Sequence, residues 1–302
     1  WTPTVSTTCW PNTWRGTGMA ETPSIVVVGS VNLDLVARAD RLPIPGETIT
    51  GATLDRYPGG KGANQALAAR RLGADVALIG CVGDDAEAGA ALCLLREGGV
   101  DLSGCLVHPS APTGLALICV SAAGENQIVV APGANRMLTS AGVTLPAADA
   151  LICQLEVPVP TLLDLVMTFP GSVCINLAPA ADVPDELLRR ANILVVNQTE
   201  AEYYGDRLYR AGGLVVETYG AAGAAIFTDG EKIAAANSPT IDAVDTTGAG
   251  ECFTAALTVA IAEGKAPQAA LEFACAAGAA AALKPGAQPS LPHRQDVEAM
   301  FA

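Results

Sequence analysis

The stretch that decides the fold of this chain is DTTGAGE at residues 245–251, which leads into the apolar run CFTAAL at residues 252–257. A polar segment, two glycines and a helix-forming run predict a strand end, a tight turn and the first turn of a helix. Three backbone N–H groups would then point unpaired from the helix N-terminus, where an anion is favoured: those of Gly248, Ala249 and Gly250. Glu251 would follow as a base beside that anion. This pairing is what phosphoryl transfer to an alcohol requires.

The charge balance excludes several kinds of partner. The 302 residues include 31 acidic and 17 basic side chains, which gives a net charge of −14. An acidic chain without clusters of lysine and arginine argues against binding to nucleic acid or to an anionic membrane surface. Because no apolar stretch is long and uninterrupted enough to span a bilayer, we expect no membrane partner either.

The cysteines indicate a compartment. The chain has nine cysteines, none in a C-x-x-C spacing, and only two histidines, which argues against zinc binding. An odd number of thiols scattered among Ala, Leu and Val predicts buried free cysteines in a reducing cytosol. We therefore expect a cytoplasmic protein.

Residues 1–22 differ from the rest of the chain. They contain all three tryptophans, together with Pro, Thr and Ser, and show no hydrophobic period. The basic and apolar regions of a signal peptide are missing. We interpret this segment as a disordered leader or a cloning remnant, with Met19 as a natural start, and keep a functional arm as the alternative. Residues 23–302 are predicted to form one domain.

From Ser24 the hydrophobic pattern becomes regular. Short β-branched runs, such as residues 24–29 and 193–197, are typical of buried parallel strands, and Ala-rich segments such as residues 62–72 are typical of helices. Strands alternating with helices predict an α/β fold with a mostly parallel sheet. Further helices are predicted near residues 85–98, 159–168, 184–191, 200–211, 248–263, 266–283 and 294–301.

Two segments, residues 35–57 and 113–130, break this rhythm. They show shorter alternating patterns with Pro and Gly, for example at residues 47–50 and 115–120. Together they predict a small antiparallel sheet inserted beside the main domain. Such a sheet could cover a ligand as a lid, pair with a second copy of the chain, or do both.

Polar residues suited to a ligand follow several predicted strands or begin helices, which is where open α/β sheets bind their ligands. They are Asn32, Asp34, Gly60, Lys61, Asn64, Glu156, Asn197, Glu200, Thr218 and Gly220. Taken singly, each has a structural interpretation as a turn cap, a tight turn or a solvated acid. The GGKG segment at residues 59–62 is not a Walker A loop, because Gly62 stands where Ser or Thr is needed.

The motifs together resemble those of the PfkB carbohydrate kinases over about residues 23–302. The matching motifs are GSVNLD (29–34), PGE (45–47), GGKGANQ (59–65), QLE (154–156), NQTE (197–200), DTTGAG (245–250) and GAQPS (286–290). The resemblance implies a three-layer α/β sandwich with an inserted β lid. It also implies ATP-dependent phosphorylation of the primary hydroxyl of a pentose, with ribose favoured, and a homodimer whose two lids clasp each other.

The resemblance also assigns roles to residues. The sugar would be held by Asn32, Asp34, Gly60, Lys61, Asn64 and Glu156, and Glu251 would take its proton. Asn197 and Glu200 would organise Mg²⁺ through water, while Thr218, Gly220 and Cys275 would line the nucleotide side. A monovalent cation, K⁺ by expectation, would be held near Asp245, Thr247, Ala281, Lys284, Gly286 and Ser290, largely by backbone carbonyls.

Two features depart from the family pattern. Glu251 replaces the family's Asp, and one extra methylene displaces the carboxylate by roughly 1 Å, which can cost about 10²-fold in rate. Only residues 201–213 separate the NQTE motif from the next strand, where the family usually has a longer helical excursion. A kinase for another sugar or a nucleoside, and a catalytically weak sugar- or nucleotide-binding protein, therefore remain as alternatives.

Overall fold

The computed structural model describes residues 22–301, so the predicted leader lies almost entirely outside the described residues. The described chain folds into two sheets. The strands are β1 (Ser24–Val28), β2 (Asn32–Ala39), β3 (Thr53–Gly59), β4 (Asp75–Gly83), β5 (Cys105–His108), β6 (Gly114–Ser121), β7 (Asn126–Ala131), β8 (Ala150–Gln154), β9 (Ser172–Asn176), β10 (Ile193–Asn197), β11 (Leu214–Thr218), β12 (Ala224–Thr228) and β13 (Glu231–Ala236).

Within residues 22–301, ten α-helices lie between or after these strands. They are α1 (Lys61–Arg71), α2 (Ala86–Ala91), α3 (Cys93–Glu97), α4 (Val159–Thr168), α5 (Asp185–Arg190), α6 (Gln198–Tyr204), α7 (Ala249–Ala262), α8 (Pro267–Ala281), α9 (Ala287–Ser290) and α10 (Arg294–Glu298). Within residues 22–301, no helix is both long and apolar enough to cross a membrane.

The large sheet has nine strands in the order β13-β12-β11-β10-β9-β8-β1-β4-β5. In this order, every neighbouring pair between β11 and β5 is parallel, and the β11–β12 and β12–β13 pairs are antiparallel. The chain runs outward from β1 to β4 and β5, then returns to place β8 on the other side of β1. The gap beyond the carboxyl ends of β1 and β8 is thus a switch point, where sheets of this type bind ligands.

Helices cover both faces of this sheet and complete three layers. Alternate residues of β1 point to opposite faces: Ile25 and Val27 pack with α1, α7 and α8, whereas Val26 and Val28 pack with α4, α5 and α6. The side chains of β1 from Ile25 to Val28 are at most 1% exposed. Continuous β-branched runs are what strands buried on both faces need.

The second sheet has four strands in the order β3-β2-β6-β7 and forms the lid. The prediction of an antiparallel sheet is right for the β2–β3 and β6–β7 pairs but wrong for β2 and β6, which pair in parallel. The predicted strand at residues 47–50 is also wrong. Instead the side chain of Glu47 bonds to the Arg41 guanidinium and accepts a hydrogen bond from the Ile44 N–H, which stabilises a turn at residues 44–47. Residues 47–50 form no strand.

Two helix predictions needed adjustment. The predicted helix at residues 85–98 is two short helices, α2 and α3, separated at Leu92. The predicted helix at residues 200–211 ends at Tyr204 and continues as a 3₁₀ turn from Gly205, where φ is +53°. Despite its brevity, this segment completes the parallel crossover from β10 to β11.

The eight described cysteines are all free thiols. Five of them are buried, as predicted, and the other three, Cys93, Cys105 and Cys119, are half-buried. Cys9 lies outside the described residues.

Candidate active site

The site lies where β1, β8 and the start of α1 meet. Asn32 and Asp34 open β2, directly after β1, and Glu156 follows β8. The structure thus brings Asn32, Asp34 and Glu156 together with Lys61 and Asn64 of α1, as the sequence predicted for one edge of a parallel sheet.

A tight backbone turn at Gly60 positions α1. Gly60 has φ +90°, and a Cβ at this position would lie 2.7 Å from the Asn32 backbone nitrogen. A side chain is therefore excluded on both conformational and steric grounds. Next to it, a Cβ on Gly59 would lie 2.2 Å from Asp34 Oδ2, so the Asp34 carboxylate packs directly against the backbone.

Hydrogen bonds fix the carboxylate of Glu156. Its Oε2 accepts from the hydroxyl of Ser30 at 2.5 Å and from the backbone N–H of Lys61 at 3.3 Å. Ser30 is fully buried and was not singled out from the sequence, although it lies inside the GSVNLD motif. These bonds join the end of β1, the end of β8 and the N-terminus of α1 into one unit.

Asn135 is a second residue that the sequence did not reveal. Its Nδ2 donates to Asn32 Oδ1 at 2.8 Å, and its Oδ1 accepts from the Val31 N–H at 2.8 Å. It lies in a 3₁₀ turn, 103 residues from Asn32 along the chain, and matches no motif. Asn135 therefore orients Asn32 in the site.

Asn64 has an unfilled hydrogen-bonding position. The residue is 5% exposed, and its Oδ1 accepts no hydrogen bond from any part of the chain that the structure describes. A buried polar atom without a partner is unfavourable, so it marks a place where a ligand or water donates. A polyhydroxyl ligand fits this requirement.

Asp34, Glu156, Glu251 and Lys61 form a charged cluster. Burial of Asp34, reinforced by the negative charges of Glu156 and Glu251, raises its pKa to about 7. The ammonium of Lys61 opposes this shift only in part. Asp34 therefore titrates near neutral pH in the free protein.

Lys61 and Glu251 form an ion pair across the cluster. Lys61 Nζ lies 2.8 Å from Glu251 Oε1, and the two side chains are 27% and 11% exposed. Burial alone would raise the pKa of Glu251, but the adjacent ammonium outweighs it and holds the pKa below its usual value. The pair joins the first residue of α1 to the first turn of α7.

The turn before α7 differs from the prediction in one respect. Gly248 is the N-cap of α7 with φ +83°, which is a left-handed conformation. The Ala249 N–H was predicted to be unpaired, but it donates to the Thr246 carbonyl at 3.1 Å. The anion-binding character of this helix start therefore depends on the other amides and on the helix dipole.

Two clefts meet at this turn, and both are lined by Ala243 and Thr246. The first, here called the lid cleft, has a volume of about 780 Å³ between the lid sheet and the main domain, and Asp34 lies in its wall. The second, here called the helix cleft, has about 330 Å³, and its wall includes Ala249, Gly250 and Phe253. Thr218, Gly220 and Cys275 also line the helix cleft, as expected for one binding surface.

Asn197 and Glu200 form a reciprocal cap at the start of α6. The Asn197 N–H donates to Glu200 Oε2 at 2.8 Å, and the Glu200 N–H donates to Asn197 Oδ1 at 2.9 Å. Burial raises the pKa of Glu200. In residues 22–301 no three His, Cys, Asp or Glu side chains gather to hold a metal ion. The oxygen atoms of Asn197 and Glu200 are of the type that Mg²⁺ prefers, and Mg²⁺ held here through water stays a prediction.

The residues predicted around a monovalent cation lie on two joined loops. Asp245 Oδ1 accepts from the Thr247 N–H and hydroxyl, and its Oδ2 accepts from the Gly286 N–H at 2.9 Å. These bonds outweigh the effect of burial and lower the pKa of Asp245. The Ser290 hydroxyl donates to the Ala287 carbonyl, so it is already used within the loop.

The other two predicted positions differ in their surroundings. Ala281 is buried at the end of α8, whereas Lys284 is exposed. At both positions, backbone carbonyls are the predicted ligands. Oxygen donors of this type suit a weakly hydrated monovalent ion, and K⁺ at this pair of loops stays a prediction.

The sequence and the fold were compared with those of known proteins. The model of the pfkB family carbohydrate kinases matches residues 22–294. A ribokinase of Bacillus subtilis is 36% identical over 296 residues, covering 92% of this chain and 99% of that protein, and a ribokinase of Haemophilus influenzae is 34% identical, covering 90% and 96%.

Solved structures agree with this assignment. A ribokinase of Thermotoga maritima has a TM-score of 0.84 and 33% identity, covering 92% of this chain and 99% of that one. A ribokinase of Arabidopsis thaliana, solved with ribose and ATP, has a TM-score of 0.81 and 31% identity, covering 93% and 99%. With its motifs, fold and site geometry in agreement, this chain belongs to the pfkB family of carbohydrate kinases.

Proposed function

We propose that this protein is an ATP-dependent kinase that phosphorylates the primary hydroxyl of D-ribose, giving ribose 5-phosphate and ADP. One observation carries the proposal: the polar pocket formed by Asp34, Asn64, Glu156 and Lys61 is joined to the first turn of α7 by the Lys61–Glu251 ion pair. The ribokinases described above, one of them solved with ribose and ATP, support the choice of sugar and nucleotide.

The sugar-binding step follows from the polar groups in the pocket. The carboxylates of Asp34 and Glu156 accept hydrogen bonds from sugar hydroxyls, and a hydroxyl donates to the orphan Oδ1 of Asn64. Since Ser30 and Asn135 already hold Glu156 and Asn32 in place, the pocket is largely preorganised for its ligand.

The transfer step uses both clefts. ATP lies in the helix cleft with its phosphates at the start of α7, where the helix dipole and the amides of Gly248 and Gly250 favour negative charge. Glu251 accepts the proton of the primary hydroxyl while the oxygen bonds to the γ-phosphorus and the bond to the ADP oxygen breaks. Asn197 and Glu200 would hold Mg²⁺ through water, and the ion would neutralise part of the phosphate charge. The loops around Asp245 and Gly286 would hold K⁺, which would stabilise the turn before α7.

The test is a coupled ADP-release assay with ATP, Mg²⁺ and K⁺, comparing ribose with other pentoses, hexoses and nucleosides. Ribose is expected to give the highest kcat/KM. The lid cleft is larger than a pentose needs, which favours a nucleoside kinase as the second candidate. A nucleoside that exceeds ribose in kcat/KM would establish that candidate, and binding of ribose and ATP without turnover would indicate a binding protein.

We also propose a homodimer formed through the lid. Leu117 and Val129 pair directly across β6 and β7 and are 48% and 65% exposed, so they present an apolar patch. Light scattering should give twice the chain mass, and Leu117→Lys with Val129→Lys should give the monomer. A monomeric parent protein at micromolar concentration would contradict this proposal.

The eight free cysteines support a cytoplasmic location.

A further inference from the structure

The Lys61–Glu251 ion pair joins two groups that the proposed reaction needs apart. Lys61 opens α1, and Glu251 is the candidate base in α7, 190 residues away in sequence. Their 2.8 Å contact is a charge-assisted hydrogen bond in a mostly buried site. A carboxylate held this way is a weaker base, and an ammonium held this way is less able to bind another anion.

Several negatively charged groups interact with the Lys61 ammonium. The negative charge of Glu251 is the main cause that raises the pKa of Lys61, and Glu156 and Glu200 add to it. Lys61 is therefore protonated throughout the neutral range and lies in a field of three carboxylates. A phosphate group entering the site with more than one negative charge would compete well for the same ammonium.

The extra methylene of Glu251 gives the pair its reach. An Asp at this position would place its carboxylate roughly 1 Å closer to the α7 backbone. Because hydrogen bonds weaken steeply beyond their normal length, the shorter side chain would lengthen or break the contact with Lys61. The pair is thus a property of this chain's own residue at position 251.

We propose that the Lys61–Glu251 pair is a self-inhibitory latch, which the terminal phosphate of the bound nucleotide opens by drawing Lys61 away from the carboxylate. The proposal rests on the proposed function, because it requires a nucleotide phosphate at the start of α7. Opening the latch frees the carboxylate to accept the sugar proton and places the ammonium on the phosphate. Phosphate binding and base activation are thereby coupled.

The latch is tested by measuring nucleotide binding under conditions in which no phosphate is transferred. The affinity for a non-hydrolysable ATP analogue with Mg²⁺ is measured by titration calorimetry for the parent protein, Glu251→Gln, Lys61→Met and the double variant. Glu251→Gln should bind the analogue about tenfold more tightly, since Lys61 no longer has to leave a carboxylate. In the Lys61→Met background, the same substitution should change the affinity less than twofold.

Two controls sharpen the test. Asp40→Asn removes one negative charge from the wall of the lid cleft and should change the affinity less than twofold. Glu251→Asp keeps the charge but shortens the reach, so it should also tighten binding, and it serves as the second variant if Glu251→Gln does not fold. Thermal unfolding curves establish that each variant is folded.

Several results would overturn the latch. Unchanged affinity in Glu251→Gln and Glu251→Asp would mean that the pair does not restrain Lys61. An equal gain with and without Lys61 would mean plain repulsion between Glu251 and the phosphate. Failure of every folded variant, and of the parent, to bind the analogue would remove the proposed function itself together with the latch.

Discussion

The lid cleft and the helix cleft of this kinase differ in the types of residue around them. Around Asp34, the sugar side consists of buried polar groups already tied by hydrogen bonds, among them those of Glu156 and Asn135. The helix cleft is lined mostly by small residues such as Ala249, Gly250 and Cys275. Sugar hydroxyls need directional partners, whereas a flat base needs a narrow apolar slot. If each cleft serves one substrate, substitutions in one should leave binding to the other unchanged.

The largest effect is expected from Asp34→Asn. The substitution keeps the shape of the side chain but removes the charge that accepts the sugar hydroxyls, and two charged hydrogen bonds are together worth about 4 kcal/mol. The kcat/KM for ribose should fall about 10³-fold, while the affinity for an ATP analogue should stay within twofold. A comparable loss of nucleotide affinity would mean that the two clefts are not independent.

A second effect of opposite sign is expected at the junction of the clefts. Glu251→Asp should raise kcat about 10²-fold in steady-state assays, because it restores the base to the family's position and weakens its pairing with Lys61. Glu251→Gln should be inactive with folding intact, which separates loss of the base from loss of structure. A lower kcat in Glu251→Asp would show that the site is adapted to Glu.

On the nucleotide side, Cys275→Trp should weaken binding of the ATP analogue about 30-fold, because overpacking costs about 2 kcal/mol. Cys275 is 5% exposed and lines the helix cleft, so a bulky ring has to enter that space. Ribose affinity, measured by calorimetry, should not change. Cys275→Ala is the control and should retain the parent affinity for nucleotide.

The smallest effect is a pH dependence confined to the sugar side. With the pKa of Asp34 near 7, its ionised fraction falls from about nine-tenths at pH 8 to about one-tenth at pH 6. Protonation removes the charge that accepts sugar hydroxyls, so ribose affinity should weaken about tenfold as the pH falls across this range. Asp34→Asn should abolish that dependence. A ribose affinity that is flat between pH 6 and pH 8 would refute the role of Asp34.

The sequence revealed the groups at the ends of parallel strands, because one geometric rule places those ends at the same edge of a sheet. It thereby predicted the neighbourhood of Asp34, Glu156 and the start of α1. It could not show the 2.8 Å pair between Lys61 and Glu251 or the support of Asn32 by Asn135. Both contacts join segments more than 100 residues apart, and neither is encoded in a local pattern.

The lid was the least predictable region for the same reason. Alternation in the sequence identified short strands but not the parallel pairing of β2 with β6, which depends on a long connection between them. Turn chemistry around Glu47 replaced a predicted strand. In the helix cleft, each small residue taken alone gives little indication of a binding site. Only the fold brings Thr218, Gly220 and Cys275 to one wall.

The central claim is that phosphate passes from ATP to the primary hydroxyl of ribose. Phosphorus NMR of the protein with ATP, Mg²⁺, K⁺ and ribose tests it directly, since the position of the new ester can be read from its coupling to neighbouring protons. The proposed function predicts ribose 5-phosphate and ADP in equal amounts, formed faster by Glu251→Asp. Absence of any sugar phosphate from both proteins, or an ester on another hydroxyl, would contradict it.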